Sequence, residues 1–223
     1  MTEKSTRYPT NDRELSTGMK LTETLDEASN VLLLTAPHDG HEHDDEACTT
    51  FVSQHPTDET NALGITYSQN AYERLGVWER HESEYPANTT VVNVGAQTRS
   101  AASDGTGTID FPPDPYKIRT VADKTNLTGL GKVVTEELSH WEHSKNVTVA
   151  CFYSVTDLLE HVSKETAFKF LHVLSTRMQS ESVTTHYHMD PDAHDEKTIR
   201  MFSELFDTIV EVSENGVWEI TTQ

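Results

Sequence analysis

Apolar positions along this chain fall in short blocks, and the spacing inside each block names the element it builds. Val31-Leu32-Leu33-Leu34 is an uninterrupted apolar run, the pattern of a strand covered on both faces. Ala62 to Tyr67, Thr89 to Val94, Tyr116 to Val121, Val147 to Phe152 and Val183 to His188 are similar short runs and predict further strands. Between them the period lengthens. Leu127, Leu130, Val134, Leu138 and Trp141 share one face of a helix, and Ala167, Leu171, Leu174 and Met178 share another, behind Ser163 as its N-cap. Asn70 to His81 also reads as a helix, and a modest one is expected from about Asp44 to Ser53. Asp190-Pro191 has the form of an N-cap followed by proline at the first helical position, opening a helix with Ile199, Phe202 and Leu205. Thr208 to Val212 and Val217 to Thr221 are closing strands, with Asn215-Gly216 as the hairpin turn.

Strands alternating with helices imply an α/β fold: a mainly parallel sheet, helices on both faces, three layers in all, with an antiparallel C-terminal hairpin at one edge. Residues 1–28 are polar, Thr-rich and without sustained periodicity, so they are expected to be a flexible arm. Residues 29–223 are expected to form one domain, and 95–115, rich in Gly, Ser, Asp and Pro, a loop within it. No internal repeat is visible.

Charge narrows the list of partners. The chain has 223 residues, 17 Lys+Arg and 37 Asp+Glu, for a net charge of −20. Nucleic acid and anionic membrane surfaces carry the same sign and are excluded as partners by repulsion. Dense surface acid keeps a protein soluble in multimolar salt, where repulsion is screened, so the charge reads as a halophilic adaptation. No stretch approaches the ~20 apolar residues that span a bilayer and no signal peptide opens the chain, so a cytoplasmic protein is expected. The two cysteines, Cys48 and Cys151, lie in apolar patterns and read as buried free thiols.

Two stretches carry a family resemblance. Cys151-Phe152-Tyr153-Ser154-Val155-Thr156-Asp157-Leu158-Leu159 follows a buried strand and resembles the strand-then-"DSLT" signature of RecA/KaiC-type ATPases. Phe168 to Leu174, His186 to Asp195 and Leu205-Phe206-Asp207, together with Leu127-Thr128-Gly129-Leu130-Gly131, resemble a functionally uncharacterised haloarchaeal family distantly similar to KaiC. The resemblance spans about residues 28–219 and implies a three-layer RecA/KaiC-like fold. It also implies where the chemistry should be, and there the chain departs. A phosphate-binding loop needs Gly-rich backbone, a Lys and a Ser or Thr for magnesium. The corresponding loop, Ala36 to Glu46, has one Gly, no Lys, no Ser or Thr, and the carboxylates Asp39, Glu42, Asp44, Asp45 and Glu46. The second strand runs into Ser68-Gln69-Asn70 where a water-activating Glu is expected, and Tyr153 replaces the magnesium-linked Asp.

Several groups invite a site reading beside a plainer one. His38, His41 and His43 with Asp39 and Asp44 have metal-ligand spacing, or form a solvated acidic loop. Strand alternation puts His186, His188 and Asp190 on one face, and His194 follows, so His186, His188 and His194 are the candidate metal ligands. The plainer reading has Asp190 capping a helix and the histidines packing at the strand end. Cys151 with His172 offers a nucleophile and base, against a core thiol. Ser154 and Thr156 offer a phosphate site at a helix start, against simple capping.

With the ATPase machinery missing, the expectation is a non-catalytic module that binds a protein partner in regulation or signalling, with no cofactor and with self-association left open. A metal-dependent enzyme built on the His186–His194 cluster and a nucleotide binder without hydrolysis are the alternatives.

Overall fold

A computed structural model describes residues 28–35, 48–51, 53–68, 71–81, 86–95, 116–213 and 218–223. Most of the arm expected over 1–28, the acidic loop after Thr35 with His38, His41 and His43, most of the 95–115 stretch and Asn215-Gly216 lie outside these residues.

Among the described residues, eight strands form one sheet: β1 (Asn30–Thr35), β2 (Thr60–Thr66), β3 (Asn88–Val94), β4 (Tyr116–Val121), β5 (Val147–Tyr153), β6 (Val183–Met189), β7 (Thr208–Val212) and β8 (Trp218–Thr222). Their spatial order is β4-β3-β2-β5-β6-β1-β7-β8. Every neighbouring pair is parallel except β7 and β8, which close the chain as an antiparallel pair. The helices are α1 (Ala71–His81), α2 (Leu127–Trp141), α3 (Val155–Leu159), α4 (Lys164–Ser180) and α5 (Glu196–Ser203), with a helical stretch at 48–51. This is the α/β class that the alternation of strand and helix patterns implies.

Side chains alternate across each strand and so sort into two layers. Leu32 and Leu34, Leu63 and Ile65, Val92 and Val94, Ala150 and Phe152, and Tyr187 and Met189 all enter one large apolar cluster. The faces of α2, α3, α4 and α5 cover it through Leu130, Val134, Leu158, Ala167, Leu171, Leu174, Met178 and Phe202. The intervening residues turn the other way. Val31, Leu33 and Val210 meet Phe51, and Ala62, Val91 and Val149 meet Ala71 and Leu75 of α1.

Several polar groups inside are engaged. The Asn30 amide donates to the Ser175 carbonyl, and Tyr187 Oη donates to Asn30 Oδ1. Asp207 accepts from the backbone N–H groups of Ser29 and Asn30, which fixes the start of β1. Glu137, buried on α2, forms ion pairs with Lys117 and Arg119 of the edge strand β4.

One boundary differs from expectation. Asp190-Pro191 does not open α5; the helix starts at Glu196 with Asp195 as its cap, accepting from the Thr198 N–H at 2.8 Å. Asp190 is occupied elsewhere. Its N–H donates to Thr156 Oγ1, and its carboxylate accepts from the Asp192 N–H two residues on, a local turn that competes with capping.

Candidate functional site

β5 and β6 pair in parallel with Cys151 opposite His186. Strand alternation therefore aims Cys151 and Tyr153 from β5, and His186 and His188 from β6, at the face away from the large apolar cluster. Cys48 comes down on this face from the helical stretch at 48–51, and Arg74 from α1. The ligand atoms of Cys48, Cys151, His186 and His188 all lie within 4.8 Å of one another, and all four side chains are buried.

The surroundings hold these groups in place. His186 Nε2 is 3.1 Å from Cys48 Sγ, and Arg74 Nη2 donates to the same sulfur. Phe51 stacks on His186 with ring centroids 4.5 Å apart, and His186 meets His188 edge-on at 5.2 Å. Tyr153 leans on His188 at 4.9 Å, and the Arg74 guanidinium lies 5.2 Å from the Tyr153 ring centroid. Arg74 is 0% exposed, so this layer contains a fully buried cation.

Electrostatics favours the thiolate. Burial would raise the Cys48 thiol, but the hydrogen bond with Cys151 and the charges of Arg74 and His186 outweigh it and hold Cys48 well below the usual thiol range. Burial pushes His186 below the usual histidine range, against the pull of Cys48. Neither cysteine is in a disulfide, in accord with the reading as buried thiols. Two sulfur and two nitrogen donors around one point can share a metal ion or a proton network.

The sequence-level candidates divide. His186 and His188 come together as alternation implies. His194 does not join them; its Nε2 is 3.0 Å from Thr156 Oγ1, in the turn before α5. His172 is exposed on α4, which packs on the opposite face of the sheet from Cys151, so no nucleophile–base pair forms there. Ser154 caps α3, accepting from the Asp157 N–H, and both Ser154 Oγ and Ser68 Oγ donate to the Asp157 carboxylate at 2.8 Å. Cys48 and Cys151 were missed as partners of the histidines. The available signal was the bare tally of two cysteines beside two histidines alternating on a strand. A cleft of about 650 Å³ lies elsewhere, between β4 and α2, where the basic side chains Lys117 and Arg119 already pair with Glu136 and Glu137.

Comparison with solved structures shows the same fold at low identity. One similar structure is the Pyrococcus horikoshii protein PH0250, with a TM-score of 0.56 and 13% identity over 93% of this chain and 92% of that one. Another is PH0321 from the same organism, described as an uncharacterized protein in complex with an unknown peptide. Its TM-score is 0.55 and its identity 12%, over 90% of this chain and 88% of that one. No curated protein matches the sequence. The sequence model of DUF7504, a family of unknown function, matches residues 28–212, and the chain belongs to that family.

Proposed function

We propose that this chain is a non-catalytic RecA/KaiC-like module that acts by binding a protein partner, in regulation or signalling, in the cytoplasm of a halophilic archaeon. The observation that carries the reading is the fate of the positions where a RecA/KaiC-type ATPase handles phosphate and magnesium. At the end of β5 stands Tyr153, its ring packed between Arg74 and His188. At the end of β2, Ser68 is spent on Asp157. Phosphoryl transfer works by placing a lysine, a magnesium ion and an oriented water, and none of these positions offers a group for that task. The four side chains of the Cys/His cluster beside them are buried, whereas a catalytic metal site keeps a position open for water or substrate. The peptide bound to PH0321 supports a peptide or protein as the kind of ligand for this fold.

Calorimetric titration with magnesium-ATP in multimolar KCl, run beside a hydrolysis assay, tests the reading. The expected outcome is no turnover above background and no binding heat. Micromolar binding that disappears when Asp44 and Asp45 are changed to Asn would replace this reading with a nucleotide binder.

The salt-loving setting rests on the net charge of −20. Screening shortens from about 10 Å at 0.1 M salt to about 3 Å at 1 M. The melting temperature should therefore fall as KCl is lowered from multimolar to 0.1 M; a flat or rising curve refutes the halophile assignment.

A further inference from the structure

Cys48, Cys151, His186 and His188 reach one point from three separate elements: the 48–51 helical stretch, β5 and β6. No carboxylate is among them, and each is at most 2% exposed. Two thiolates and two imidazoles are the donor set of closed, tetrahedral zinc sites. A zinc ion with Zn–S near 2.3 Å and Zn–N near 2.0 Å sets its donors about 3.3–3.8 Å apart in a tetrahedron. The 3.1 Å from His186 Nε2 to Cys48 Sγ and the 4.8 Å ceiling on all pairs bracket that range.

From this convergence we propose that the chain holds a structural zinc ion ligated by Cys48, Cys151, His186 and His188. Two thiolates balance the charge of the ion, and both imidazoles bind neutral. Arg74, donating to Cys48 Sγ, is an outer-shell partner of that sulfur. Phe51 and Tyr153 fix the imidazole planes, so the donors are aligned before the metal arrives. The ion pins the 48–51 stretch onto β5 and β6, joining residues more than a hundred positions apart. Zinc loading explains why an interior layer that could have been apolar collects sulfur and imidazole: buried polar groups are costly unless a partner compensates them. The site is structural, and its test is separate from that of the partner-binding reading, which turns on nucleotide binding and hydrolysis.

The test uses the full chain, produced without a His-tag and kept reduced. Metal analysis should find stoichiometric zinc. Replacement with cobalt should give the intense visible bands of a tetrahedral ion together with thiolate-to-metal charge transfer. Cys151→Ser and His188→Ala should each weaken zinc affinity by at least the roughly tenfold that loss of an outer-shell partner alone costs. His194→Ala, outside the cluster, should keep zinc and spectrum unchanged. Chelation should lower the melting temperature and added zinc restore it, because an ion bound only by the native state stabilises it by mass action. If a ligand variant fails to fold, the cobalt spectrum of the unmodified chain still decides. A six-coordinate spectrum without thiolate bands overturns the site. So does reduced protein that takes up no zinc on titration, or metal loss in His194→Ala equal to that in His188→Ala.

Discussion

Along the same two central strands, consecutive residues live in different worlds. Phe152 and Tyr187 face a large cluster of aliphatic and aromatic side chains to which four helices contribute. Cys151 and His186, one position away on each strand, face sulfur, imidazole and a buried guanidinium. Both layers are equally shut off from water: Phe152 and Tyr187 are 0% exposed, Cys151 and His186 1%. What differs is what burial does. On the first face each methylene removed from water adds stability, about 25 cal/mol per Å². On the second, burial is a cost that only directed partners offset. At β5 and β6, one face thus adds stability, and the other uses part of it to hold a specific arrangement of reactive groups.

The contrast is broken most severely by emptying the first face. Phe152→Ala removes a fully buried ring that touches Tyr67 and Tyr187, with centroids 5.8 Å from each. The expected loss is about 3–5 kcal/mol, the range for buried Phe truncation, read from denaturant unfolding in high KCl. Cys151→Ser, next to it but pointing the other way, changes little volume and in metal-free protein should cost clearly less. Equal losses for the two would mean that the faces do not divide the work as described.

Most of the first face can be read in the sequence, because periodicity is local. Leu130, Val134 and Leu138 announce the buried stripe of α2 by spacing alone, and the strand over Tyr116–Val121 falls where its pattern puts it. The second face is legible only in part. Alternation on β6 pairs His186 with His188, since two residues on one strand need no tertiary knowledge. Bringing Cys151 to them requires β5 to lie beside β6, and bringing Cys48 requires the 48–51 stretch to lie against both. Neither follows from any spacing, because the four groups come from three elements. His194 shows the opposite failure. Near in sequence, it is carried off by the turn in which Asp190 bonds to Asp192 and Thr156. The same turn explains the misplaced cap: the Asp190 carboxylate is taken up by the Asp192 N–H, and Asp195, not Asp190, meets the backbone N–H three residues on at bonding distance.

The smallest effect is expected at the rim of the apolar face, where α5 is held rather than buried. Asp195 accepts from the Thr198 N–H and hydroxyl, and it also pairs with Lys164 of α4 at 3.2 Å. The backbone bond first, then the Thr198 hydroxyl and Lys164, hold its carboxyl down at about 2. An unfolded aspartate titrates near 3.9. A folded-state pKa below the unfolded one means that the ionised cap adds stability in full above about pH 3.9, and that this is lost as the pH falls through about 2. Asn caps a helix about as well as Asp but carries no charge. Asp195→Asn should therefore melt slightly below the parent at neutral pH, and the gap should close as the pH is lowered toward 2. Multimolar KCl should shrink the gap throughout, because both side chains of the pair are largely exposed and their attraction is screened. A gap that is the same at pH 7 and pH 2 would show that Asp195 acts through shape and hydrogen bonding alone. The rim would then belong with the apolar face beneath it, as packing rather than charge.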